Sequence, residues 1–118
     1  MRSDAASAAL LDMERHITLA TQFVMGLHYE AFQDDARTIY AVTRCLEIIS
    51  EASRRLPTEM KTRRPSIAWK EMAGAGNIYR HDYEDIAAKL LWDTVQFALP
   101  PLRDVIVFEI AAAAKNNE

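Results

Sequence analysis

Cysteine is all but missing from this 118-residue chain: Cys45 stands alone, so no internal disulfide can form, and neither zinc-type nor redox-pair spacing exists. Excess positive charge is missing too. The formal net charge is −3, so any contact with nucleic acid has to come from a local patch. No stretch approaches the ~20 consecutive apolar residues of a membrane span. Asp12 and Glu14 arrive before any long apolar run develops, which argues against a signal peptide. Repeats, low-complexity segments and an internal boundary are absent, so residues 1–118 read as one domain. These absences together predict a soluble, cytoplasmic protein that uses no membrane, metal or cofactor.

What is present is helical periodicity. Leu10, Met13, Ile17, Ala20, Val24 and Leu27 recur at steps of three and four, predicting a helix from Asp4 to Met25 that stops at Gly26. A turn of helix follows from Tyr29 to Gln33. Asp34 or Asp35 then caps a second long helix reaching Leu56, with Ile39, Val42, Leu46, Ile49, Ser53 and Leu56 as its stripe. Pro57 ends it, because a proline lacks the donor and restricts the residue before it. Pro57 to Pro65 reads as a basic loop with one helical turn. Ser66 is placed to cap the next helix. Asp82 to Asp85 is a tight connection, with Asp85 capping a helix through Leu99 on the stripe Ala87, Leu91, Val95 and Leu99. Pro100 and Pro101 break the chain and open a last helix, Leu102 to Ala114. Val105 to Phe108 is β-branched enough for a strand but would have no sheet to join, and helix is the reading taken. The fold class expected is all-α: an up-and-down bundle of four to five helices that dimerises through its central helices.

The stretch from Ser66 to Asp85 is unlike the rest. Gly74 and Gly76 each cost roughly 1 kcal/mol against Ala inside a helix, so two of them point to a close backbone approach. Just beyond, Asn77, Arg80, His81 and Glu84 share a face by their spacing and make one polar surface.

The same residues carry a resemblance. W-K-E-M-A-G from Trp69, Asn77, His81 and Tyr83, followed by L-W-D-T-V and L-P-P-L and preceded by L-E-I-I-S-E-A-S-R-R-L-P from Leu46, resembles the HepT-type members of the HEPN superfamily over nearly the whole chain. The resemblance implies a helical, dimeric, metal-independent ribonuclease toxin of a type VII-like toxin–antitoxin pair. Its implied partner is a minimal nucleotidyltransferase antitoxin that transfers AMP to a tyrosine. The family motif is an Arg, four to six residues, a His, and the modified Tyr two positions later. Carried over, the histidine is His81, the tyrosine Tyr83, and the Asn after the motif Arg is Asn77. The Arg itself falls on Gly76, leaving Arg80 as the basic residue beside His81.

Metal-free RNA cleavage needs a base for the ribose 2′-hydroxyl, an acid for the leaving oxygen and a cation for the phosphorane charge. An ordinary histidine titrates near 6.5, so His81 suits base or acid. Arg80 could hold phosphate by two parallel hydrogen bonds, and Asn77 could bond the imidazole or a phosphate oxygen. A two-fold dimer would pair two such sets. Arg54, Arg55, Arg63 and Arg64, with Lys61 among them, form a candidate RNA-binding patch, against the plainer reading of a solvated helix end. His81 as a helix-capping histidine is the plainer reading there. Two other functions stay open: a non-catalytic helical module that docks a nucleotidyltransferase or a nucleotide, and a purely structural dimer.

Overall fold

The computed structural model describes residues 4–81 and 85–116, with side chains described at all of them except 77–81, 85–87 and 116. Among the described residues every regular element is a helix. In chain order these are α1 (Asp4–Val24), α2 (Tyr29–Gln33), α3 (Ala36–Ser53), α4 (Thr58–Thr62), α5 (Trp69–His81), α6 (Asp85–Asp93) and α7 (Leu99–Asn116), with a π-helical turn, Thr94–Ala98, between the last two. The fold is all-α, and Val105 to Phe108 is helix.

Helix α1 buries the stripe its spacing announces, Leu10, Met13, Ile17, Ala20 and Val24. It stops where Gly26 takes φ +82°, a left-handed backbone that costs glycine nothing. Of the two aspartates before α3, Asp35 is the cap. Its Oδ1 accepts from the Thr38 backbone N–H at 3.1 Å and its Oδ2 from the Thr38 hydroxyl at 2.7 Å. Those bonds favour the charged carboxylate and hold Asp35 below its ordinary pKa. The cap therefore contributes in full above the usual carboxylate range and fades as pH falls through the lowered value. Helix α3 ends at Ser53 rather than Leu56. Arg54, Arg55 and Leu56 donate to the carbonyls three residues back, at 3.2, 3.0 and 3.3 Å, so the chain tightens into a narrower turn ahead of Pro57.

Two expected caps are corrected. Ser66 does not start α5, because the chain turns first: Ile67 N–H donates to the Arg64 carbonyl at 3.1 Å, and the Trp69 indole N–H donates to that same carbonyl at 3.0 Å. The first helical residue is Trp69. Asp85 already lies within α6 and so is not its cap, and the expected tight connection from Asp82 to Asp85 lies outside the described residues at 82–84.

The larger correction concerns Pro100 and Pro101, which do not break the chain. Each lacks an N–H and crowds the carbonyl four residues back. The π turn before them relieves this by letting Leu99 N–H reach the Thr94 carbonyl, five residues away. Thr94 also donates its hydroxyl to the Leu90 carbonyl at 2.8 Å, a bond that bends helices. Helix α6, the π turn and α7 thus form one continuous rod. At about 1.5 Å per residue it accounts for the 47 Å long axis of the molecule.

Arg55, just past the end of α3, pairs with Asp12 in the first half of α1 at 3.0 Å, so these two helices run antiparallel, as short connections favour. Helix α5 packs on the opposite edge of α3, and α7 on α1. One core gathers Leu10, Met13 and Ile17 of α1, Val42, Leu46 and Ile49 of α3, and Leu91, Val95, Leu102 and Ile106 of the rod. Short α2 is tied in by Phe32, whose ring centroid lies 5.2 Å from that of Trp92. Among the described residues no helix is long and apolar enough to cross a membrane. Cys45 is buried, and burial pushes its thiol up, which keeps it unreactive.

Candidate functional site

The predicted site residues cluster on α5, and α3 fixes that helix in place. Ser50 Oγ donates to the Ala73 carbonyl at 3.1 Å and accepts from the Gly76 backbone N–H at 3.3 Å. Arg54, one turn further along α3, donates to the Ala73 carbonyl from Nε at 3.0 Å and from Nη2 as well. Residue 54 meets 73, and residue 50 meets both 73 and 76, so α3 and α5 run antiparallel. Ser50 is 2 % exposed, and a buried hydroxyl used both as donor and acceptor is fully satisfied.

The two glycines have different reasons. Gly76 is buried, and a Cβ there would stand 3.2 Å from Ser50 Oγ. The close approach inferred from sequence is therefore met inside one chain, between α5 and α3, and Gly76 has no free face for a second subunit. Gly74 is exposed, and a Cβ there would meet nothing within 4 Å.

Helical register then orders the predicted residues. At about 100° per residue, position 74 lies ~160° around from the Gly76 direction, position 77 ~100° and position 81 ~140°, so these three share an outward stripe. Position 80 lies only ~40° from Gly76, on the α3 side. The backbone of Asn77, Arg80 and His81 is the last part of α5. Their side chains, and Tyr83 and Glu84 entirely, lie outside the described residues.

The basic patch resolves into separate structural contacts. Arg55 binds Asp12 and Glu51 at 3.0 and 3.1 Å, and Asp12 first, then Glu51, hold its guanidinium even more firmly protonated. Arg63 and Arg64 both reach the buried Glu109 of α7, at 3.0 and 3.6 Å, and Arg64 also lies over the Phe108 ring at 4.8 Å. A buried carboxylate flanked by two guanidiniums is the arrangement such a group requires. Only Arg54 of the four faces α5, and among the described residues no carboxylate pairs with it.

Ser50 is the residue that sequence reasoning missed. The signal was there: Ser50 follows Leu46 by four and Ser53 follows Ile49 by four, so both serines fall on the core face of α3, where a hydroxyl needs a partner.

A second feature is an apolar cleft of about 470 Å³ between α3, α5 and the rod, lined by Ile49, Met72, Ala75, Leu90, Phe97 and Leu102 among others. Positions 72 and 75 lie on the opposite side of Gly76 from positions 77 and 81. The cleft is therefore separate from the Asn77–His81 stripe. Among the described residues no group of three or more His, Cys, Asp or Glu is arranged to hold a metal ion.

Residues 13–107 match the family described as Ribonuclease HepT-like. A probable ribonuclease HepT of Thermococcus cleftensis is 37% identical over 94 residues, covering 80% of this chain and 86% of its own length. Two candidate RNases of Methanocaldococcus jannaschii are 30% identical over 113 residues, covering 93% of each chain, and 35% identical over 96 residues, covering 81% of this chain and 88% of the relative. No solved structure matches at comparable significance. With four-fifths of the chain inside the match and the helices in place, this protein belongs to the HepT-like ribonuclease family.

Proposed function

We propose that this chain is a metal-independent endoribonuclease whose site is completed by a second copy across a two-fold axis. His81 of one copy takes the proton from a ribose 2′-hydroxyl, and the freed oxygen attacks the adjacent phosphorus. The P–O5′ bond breaks, and the leaving oxygen takes its proton from His81 of the other copy, giving a cyclic phosphate and a 5′-hydroxyl. Asn77 and Arg80 orient the imidazole and the phosphate. The observation that carries this reading is the outward stripe 74–77–81 on a helix pinned to α3 by Ser50 and Arg54, because a preorganised surface is what charge stabilisation in a transition state requires. Purified protein should cleave a single-stranded RNA in excess EDTA; intact RNA after long incubation would end the reading.

In the dimer, Gly74 lets the two α5 helices approach. Gly74→Leu is harmless to the monomer, since the added side chain starts in open space, but it obstructs a facing helix. Light scattering should report a dimer for wild type and a shift towards monomer for Gly74→Leu. A monomeric wild type at micromolar concentration counts against the shared site.

Tyr83 is the position at which a nucleotidyltransferase partner adds AMP, the added phosphate lying over the site and repelling RNA. After incubation with ATP and such a partner, intact mass and peptide mapping should place one adduct on Tyr83. An adduct on Tyr79 instead, or none, removes this regulation.

One observation favours a second reading. Position 76, to which the resemblance gives the motif arginine, is a glycine sealed against Ser50. A chain without that charge would serve as a helical module that docks a nucleotidyltransferase or a nucleotide, and it would leave RNA intact.

A further inference from the structure

Cleaving RNA without a metal needs a fixed positive charge at the phosphate, and position 76 offers none. We propose that Arg54, reaching from α3 onto the face of α5, grips the RNA phosphate at this site; the proposal rests on the ribonuclease reading above. A guanidinium carries five N–H donors in a planar fork. Arg54 uses Nε and one N–H of Nη2 on the Ala73 carbonyl. Its remaining donors, on Nη1 and Nη2, form the end-on edge of the fork, which matches two phosphate oxygens.

The placement agrees. Positions 73, 77 and 81 fall within about 80° of one another on α5, one turn apart each, so the anchored guanidinium stands in line with Asn77 and His81. Arg54 is itself exposed, which leaves its free edge accessible. The charge is uncompensated as well. Arg55 pairs with Asp12 and Glu51, and Arg63 and Arg64 share Glu109, whereas Arg54 is held by a neutral carbonyl and, among the described residues, by no acid. An exposed arginine with its rotamer fixed and its charge unspent loses less entropy on taking a phosphate than a free one does.

The experiment compares wild type, Arg54→Gln, Arg54→Lys and Ser50→Ala on one fluorescein-labelled single-stranded RNA. Cleavage is followed as kcat and KM, and RNA binding is followed against salt in a His81→Ala background. Arg54→Gln should lower kcat/KM by ~10²-fold with the fold intact. It should also lower the slope of log binding constant against log salt by about 0.7, the share of one phosphate contact on a single strand. Arg54→Lys should keep the slope and recover the rate only in part, because an ammonium lacks the two-point grip. Ser50→Ala, which spares the guanidinium, should leave the slope unchanged. A folded Arg54→Gln with wild-type rate and slope overturns the proposal, as does a lost rate with an unchanged slope, which marks a structural role alone. If Arg54→Gln does not fold, Arg54→Lys decides, and a wild-type rate there overturns the two-point grip. If wild type cleaves no RNA, the ribonuclease reading falls and the salt slope alone judges Arg54: unchanged in Arg54→Gln, it overturns this proposal too.

Discussion

His81→Ala is expected to cleave a defined RNA ~10²- to 10⁴-fold more slowly than wild type, the range that a positioned general acid–base contributes. In a two-fold site each transition state would use two copies of His81, one as base and one as acid, so the effect belongs at the upper end of that range. Position 81 lies ~140° around α5 from the buried Gly76, and the helix is fastened to α3 upstream of it, through Ala73 and Gly76. The variant should therefore melt close to wild type. Rates measured in EDTA on protein of matched helical signal test this, and undiminished cleavage by His81→Ala would remove the histidine from the chemistry.

Phe32→Ala should show the opposite profile, a large loss of stability with little change in the site. Helix α2 has five residues, and Phe32 is its buried one, so its hold on the bundle depends on that ring. Phe32 is 0% exposed and packs on Trp92, which also meets Tyr29 edge-on at 6.0 Å. Truncating such a ring costs about 3–5 kcal/mol, combining lost transfer energy with a cavity that closes only in part. A domain of this size holds roughly 5–15 kcal/mol in all. The melting temperature should fall by on the order of 10–20 °C. Urea titrations should show a lower midpoint with the same slope, and a loss under about 1 kcal/mol would mean that α2 is not docked on α6 as described.

How much of this was legible in the sequence depends on what kind of signal each residue carried. The stripes of α1 and α3 and the stop at Gly26 follow from spacing and glycine geometry, which act locally, whereas the helix through Val105 follows from the lack of any sheet for a strand to join. Asp35 prevailed over Asp34 because Thr38 stands three residues on, a pairing that could have been read in advance. Pro100 and Pro101 misled because a proline breaks a helix only when the register before it is straight. One wider turn at Thr94–Ala98 absorbs both, and nothing in the spacing announces it. The arginines are a different case. Charge runs are visible in sequence, but Asp12 and Glu109, which pair with three of them, stand more than forty residues from their partners. The centre of the candidate site was legible as a type of residue, and so was the need of a core-facing Ser50 for a partner, but the partners of Ser50 and Arg54 were not, since both act across helices.

The contact between Gly76 and Ser50 also constrains how this sequence can change. An arginine at position 76 would bring its Cβ to 3.2 Å from a buried hydroxyl, so Ser50 would have to give by a few tenths of an ångström, and that hydroxyl already holds the backbone N–H of the same residue. A smaller residue at position 50 would remove that contact. That change would release one of the donors now fastening Ala73 and leave Arg54 holding the carbonyl alone. Positions 50, 54 and 76 are therefore coupled: how well a residue is tolerated at one depends on the other two.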